Sequence, residues 1–312
     1  MPPEVFAKLS NLGGRCSFGA IHAERKAEDN RGDLAAGDEF EEPGNGFGLS
    51  AVDGFDRVCA DPKLIGRGEA DAGIEAFDHQ WIAMGAFKQV ADAFKQAGCQ
   101  ELIIIGAVQR PNIATMQTDE GGQWFLEKVT QGHQLGDDQL LKTLISYFQT
   151  QQLSVVSAET YCRDLLGPQG QQGKYAIGPH QPDIDLGQDV VKAIGALDIG
   201  QGVVVARRVV LAVEGPEGTD NMLRRIADLS PELRGTPEAP SGVLVKLPKP
   251  RQDRRVDMPT IGAQTIALAA EAHMAGIVYE AGGALIDDLA ATIAAADAAG
   301  LFLYGLEAPQ DD

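Results

Sequence analysis

One carboxylate set among basic side chains is the feature of this sequence with most chemical potential. The stretch RQDRRVDMPTIG (251–262) gathers Arg251, Arg254 and Arg255, with Lys249 just upstream, around Asp257, and a proline, a glycine and a helical pattern follow. Guanidinium groups hold phosphate oxygens in fixed, often bidentate geometry. A carboxylate beside them can help hold Mg²⁺, which bridges phosphates while taking only one or two protein carboxylates. It can equally orient a water as general base. The same residues also fit a surface salt-bridge cluster of little energetic consequence, and their spacing alone does not separate the readings.

Three further segments have a comparable layout. LAVEGPEGTDNML (211–223) reads as strand, glycine loop and helix, so that backbone N–H groups near Thr219 and Asp220 would point at a ligand above the strand ends. An ordinary helix start, with Thr219 or Asp220 as its cap, fits the same letters. GAVQRPN (106–112) places Gly106 and Arg110 just past an apolar strand, and GHQLGDD (132–138) places His133, Asp137 and Asp138 before a helix. Acidic residues at a helix start are also routine there. No G-x-x-x-x-G-K-[ST], G-x-S-x-G or H-E-x-x-H motif occurs, and no G-x-G-x-x-G follows a strand, which disfavours a dinucleotide oxidoreductase.

The elements that must carry these residues alternate between strand and helix, which predicts an α/β fold. The periodicity predicts a strand in FGLSAV, a helix over 83–97 with Met84, Phe87, Val90, Ala91 and Phe94 inward, a strand over 101–108, a helix over 136–151 and a strand over 153–159. A segment rich in Gly, Gln and Pro, 163–182, reads as a linker. Beyond it a helix is expected over 183–198, two strands over 200–214 around a turn at Arg207–Arg208, and a helix over 218–229. A strand over 242–248, a helix over 261–274, a strand over 276–282, a helix over 287–299 and a strand over 301–306 complete the second run. The expected architecture is two α/β domains: a Rossmann-like N-terminal domain over 48–162 on the nucleotide side, and a mixed-sheet catalytic domain over 183–312. Residues 1–47 are polar, acidic and without sustained periodicity, and are expected to be poorly ordered.

Composition limits the partners. The net charge is −19, from 26 Lys and Arg against 45 Asp and Glu, so general nucleic-acid binding, which needs a basic surface, is not expected. An acidic protein that binds an anion must build a local basic site, which draws attention back to 249–255. The four cysteines, Cys16, Cys59, Cys99 and Cys162, form no C-x-x-C pair and read as free thiols. No stretch has the length of apolar residues that a membrane span needs, and a cytoplasmic location is expected.

Four stretches, ALDIGQGVVV (196–205), LAVEGPEGTDNMLRR (211–225), KLPKPRQDRRVDMPTIG (246–262) and AGIVYEAGG (275–283), together resemble the UDP-2,3-diacylglucosamine pyrophosphatases of the LpxI type, bacterial enzymes of lipid A biosynthesis. GFDRVCADPKL, GAVQRPN and GDDQLL fit the family in order, so the resemblance spans residues 48 to 306, and 246–262 is its most specific part. The resemblance implies Mg²⁺-dependent hydrolysis of a lipid-linked UDP-sugar to UMP and 2,3-diacylglucosamine 1-phosphate, by a homodimer of two-domain chains in transient contact with the inner membrane. It implies a catalytic Asp257, matching the aspartate of the family's R-V-D-x-P-T-I-G motif, and a metal site at Asp257 with Asp220. Lys249, Arg254, Arg255 and Thr260 would face the pyrophosphate, Thr219 and Asp220 would line the same pocket, and Gly106, Arg110 and Asp137 would serve the nucleotide side. The family's opening strand and glycine-rich loop have no counterpart in 1–47. That absence keeps a non-catalytic UDP-sugar or lipid-phosphate binding protein as the alternative.

Overall fold

A computed structural model of the chain describes residues 20–22, 64–65, 79–80, 82–105, 116–131, 137–160, 163–250 and 252–308. In the first domain, β1 (Ala20–His22), α1 (Phe87–Gln96), β2 (Glu101–Ile105), α2 (Glu120–Gln131), α3 (Asp137–Thr150) and β3 (Ser154–Val155) follow in chain order. Strand β2 lies between β1, which is antiparallel to it, and β3, which is parallel. Helix α1 buries Phe87, Val90, Ala91 and Phe94, the face its period requires. That face meets Phe125 and Val129 of α2, Leu141, Leu144 and Phe148 of α3, and Leu102 and Ile104 of β2 in one apolar cluster. Phe87 and Phe125 meet edge to face at 5.1 Å.

Several expectations need correction here. Of the segment 1–47 only Ala20–His22 is described, and it pairs antiparallel with β2; the rest of that expectation falls on residues outside the described ones. The strand expected over 153–159 is two residues long and gives way to a helical turn at Ala158–Thr160. Helix α2 was not anticipated from the sequence, and the segment FGLSAV lies outside the described residues.

The second domain is built on a mixed six-stranded sheet, beside which Thr260–Ile261 and Leu285–Ile286 form a separate parallel pair. Its elements are β4 (Gly170–Gln172), α4 (Gln181–Ala196), β5 (Gly202–Ala206), β6 (Val209–Val213), α5 (Gly218–Ala227), β7 (Val243–Lys246), β8 (Thr260–Ile261), α6 (Ala263–Glu271), β9 (Gly276–Glu280), β10 (Leu285–Ile286), α7 (Leu289–Ala299) and β11 (Phe302–Leu306). The order across the sheet is β4-β11-β9-β7-β5-β6. Strands β7, β9 and β11 are parallel, and β4, β5 and β6 are antiparallel to their neighbours. The segment read as a linker therefore also supplies an edge strand, β4, to this sheet.

The central strands β5, β7 and β9 are covered on both faces, which is why they read as near-continuous apolar runs rather than alternating. Val203, Val205, Val243, Val245 and Val278 face Ile184 and Val191 of α4. Val204, Leu244, Ile277 and Leu303 face Met222, Leu223 and Ile226 of α5, Ile266 and Ala269 of α6, and Ala296 of α7. Gly187 lets α4 approach closely, since a Cβ there would lie 2.5 Å from a methyl of Val245.

The β5–β6 turn falls where the sequence places it. Arg207 and Arg208 adopt φ 50° and 63°, the left-handed geometry of a tight hairpin turn. The buried Asp183 carboxylate of α4 accepts both of their backbone N–H groups, at 3.1 and 2.6 Å.

Register brings four strand termini to one edge of the sheet. Lys246 at the end of β7 stands opposite Gly202 at the start of β5 and beside Tyr279 near the end of β9, and Val213 at the end of β6 stands opposite Val203. In open α/β sheets ligands bind outside the carboxyl ends of strands.

Candidate active site at the strand ends

The loop that follows β7 returns Asp257 to that edge. Asp253 to Asp257 form one turn, in which the N–H groups of Val256 and Asp257 both donate to the carbonyl of Asp253, at 3.1 and 3.2 Å. Burial pushes the Asp257 carboxyl above the usual carboxylate range and Glu214 adds to the push, while Lys249, a hydrogen bond from Gln252 and Lys246 oppose it. The residue keeps part of its surface accessible even though its carboxyl is enclosed.

Each of these neighbours is held in place. Lys246 is 1% exposed and its Nζ donates to the carbonyl of Thr260 at 3.0 Å. Lys249 Nζ lies 2.6 Å from Asp198 Oδ1, and its backbone N–H donates to Gln252 Oε1 at 2.7 Å. Gln252 Nε2 also donates to Gln201 Oε1 at 3.1 Å. Glu214, 3% exposed at the end of β6, accepts from Thr219 Oγ1 at 2.6 Å and from the Gln201 N–H at 3.2 Å. Two lysines thus share one site with Asp257, Glu214 and Asp198, with amide side chains between them.

The residues singled out in the sequence divide into groups. Asp257 and Lys249 are at the site, and Thr260 borders it through its carbonyl, with its hydroxyl donating to the carbonyl of Met258 at 3.3 Å. Thr219 reaches the site through Glu214. It is not a cap, because α5 starts beyond Glu217 and no side chain caps it. Asp220 sits half-buried in the first turn of α5, and Glu214 is a carboxylate whose charge acts on Asp257. Arg254 is paired with Glu280 at 2.5 Å, and Arg255 makes a two-pronged pair with Asp253 at 2.8 and 2.6 Å. Asp137 begins α3, and Gly106, Arg110, His133 and Arg251 lie outside the described residues.

Lys246, Glu214, Gln252 and Gln201 were missed. A signal existed for the first two: VLVK and LAVE each end an apolar strand on a charge, and a charge at a buried strand end needs a partner.

Comparison with known proteins decides the family. The LpxI N-terminal domain matches residues 63–165 and the LpxI C-terminal domain matches residues 168–304. The chain belongs to the LpxI family. A relative from Caulobacter vibrioides, the UDP-2,3-diacylglucosamine pyrophosphatase LpxI, is 42% identical over 246 residues, covering 78% of this chain and 88% of its own. The boundary between the two LpxI domains, near residue 166, coincides with the passage from the first core to β4.

Proposed function

We propose that this LpxI-family chain hydrolyses the pyrophosphate bond of UDP-2,3-diacylglucosamine, giving UMP and 2,3-diacylglucosamine 1-phosphate. The observation that carries this reading is the convergence of Asp257, Lys246, Lys249 and Glu214 at the strand-end edge of the second domain. Water adds to one phosphorus, the bridging P–O bond breaks, and two phosphomonoesters result. Asp257 orients that water and accepts its proton, a task suited to a carboxylate whose proton affinity is raised. Lys246 and Lys249 stabilise the charge that spreads over the phosphoryl oxygens, both already fixed, Lys249 with Asp198 as its counter-ion.

The residues also suit Mg²⁺. Asp257 and Glu214 offer oxygen donors, and no group of three or more His, Cys, Asp or Glu converges among the described residues. An ion that takes one or two carboxylates and fills its shell with phosphate and water fits that set. Asp257, with Glu214, would hold it, a role alternative to that of base, and when bound it would offset the charge of the two phosphates. The same reading places the chain in the cytoplasm, as a homodimer touching the inner membrane transiently, where a sugar nucleotide with two acyl chains would be met. Among the described residues no helix is long and apolar enough to cross a membrane.

The test is incubation of the whole chain with UDP-2,3-diacylglucosamine, with Mg²⁺ and with EDTA, reading UMP. Release of UMP that EDTA abolishes is expected. Binding without release would establish the non-catalytic alternative, and undiminished release in EDTA would remove the metal from the account.

A further inference from the structure

The turn that carries Asp257 belongs to both domains. Residues 253 to 257 make a single helical turn, so positions three apart share a face. Asp257 and Arg254 form the face toward the second domain: Asp257 meets Lys246, Lys249 and Glu214, and Arg254 pairs with Glu280 at the end of β9. Val256 and Asp253 form the other. Val256 is 4% exposed and buried in the first domain's core cluster with Leu141, Leu144, Leu153 and Val155, although it lies in the sequence of the second domain. Asp253 feels the charge of Lys142 on α3. Ser157, just past β3, donates its hydroxyl to the carbonyl of Arg254 at 3.3 Å. Arg255 ties the turn to itself through its paired contacts with Asp253.

We propose that Val256 is a positioning residue: seated in the first domain's core, it fixes the turn that presents Asp257 to the second domain's lysines, so that the reacting carboxylate is aligned only while the two domains hold the turn between them. This rests on the reading of Asp257 as the reacting carboxylate. Adjacent residues on one turn cannot move independently, so loosening Val256 displaces Asp257. A displacement on the order of 1 Å from productive geometry can cost about a hundredfold in rate. Val256 sits in the first domain's apolar cluster, and substrate affinity has no reason to follow.

Val256→Ala and Val256→Ile, beside the parent chain, test this by steady-state kinetics and by amide hydrogen exchange. In Val256→Ala, kcat should fall by about tenfold or more with KM changed less than about threefold, the pattern of a misaligned group rather than a lost binding contact. Exchange should quicken in the 252–258 turn and stay unchanged in β7 and β9. Val256→Ile, which still fills the cluster, should retain kcat within about threefold. A Val256→Ala variant with parental kcat, or with exchange quickened equally in β7, would overturn the proposal. If the parent itself releases no UMP, the functional reading fails, and the exchange pattern still decides whether Val256 holds the turn.

Discussion

Asp257 shows what enclosing the proposed reacting carboxylate costs. Its carboxyl is enclosed and beside Glu214, and it holds its proton more tightly in the folded chain than in the unfolded one. The folded state therefore binds more protons between the ordinary carboxylate range and the raised value, and stability falls as pH rises through that window. Asp257→Asn, which cannot ionise, should unfold at a higher temperature than the parent at pH 7, with the gap closing in acid below the ordinary range. A variant less stable at pH 7 would mean that Lys246 and Lys249 stabilise the ionised form more than burial opposes it. Glu214 is open to a separate check. Glu214→Gln removes one negative neighbour, so the Asp257 proton leaves more easily and the acid limb of the kcat profile should move to lower pH. A limb that stays in place would show that Glu214 does not act on Asp257.

At the scale of elements, much was legible where the local signal and the packing agree. Helix α1, the β5–β6 hairpin and the valine-rich strands β5 and β7 fall where period and composition place them. Helix α2 was hidden because it opens on Gly121 and Gly122, poor helix formers in isolation. Those glycines answer to tertiary contacts that no local pattern shows: a Cβ on Gly122 would lie 2.0 Å from the backbone oxygen of Gly85, and one on Gly121 would lie 2.3 Å from the Tyr147 hydroxyl. Gly122→Ala should therefore destabilise the first domain by about 1–3 kcal/mol, as overpacking against backbone does, despite its better helix propensity. Chemical denaturation would show this, and a neutral or stabilising effect would contradict the close approach. The hairpin turn gives the opposite sign. Arg208 holds φ 63° without a glycine's freedom, so Arg208→Gly should be stabilising or neutral. Asp183→Ala, which strips the acceptor from both turn N–H groups, should cost about 2 kcal/mol or more.

At the scale of the whole molecule, the site is made by register and by a turn shared between two cores, and neither is written locally in the sequence. Asp257 and Lys249 could be found because they crowd one short stretch, and Arg254 and Arg255 drew attention for the same reason, although each is held by a carboxylate. Glu214 lies 43 residues upstream of Asp257 in the numbering and meets it only because β6, β5 and β7 are laid side by side. Against a net charge of −19, Lys246 and Lys249 bring two positive charges to this edge, beside Asp198 and Glu214. The most direct measurement is UMP release from UDP-2,3-diacylglucosamine by the parent chain and by Asp257→Ala, with circular dichroism confirming that both are folded. The parent should turn over and the folded variant should lose at least about two orders of magnitude in kcat. A folded Asp257→Ala chain that releases UMP at the parental rate would contradict the central claim.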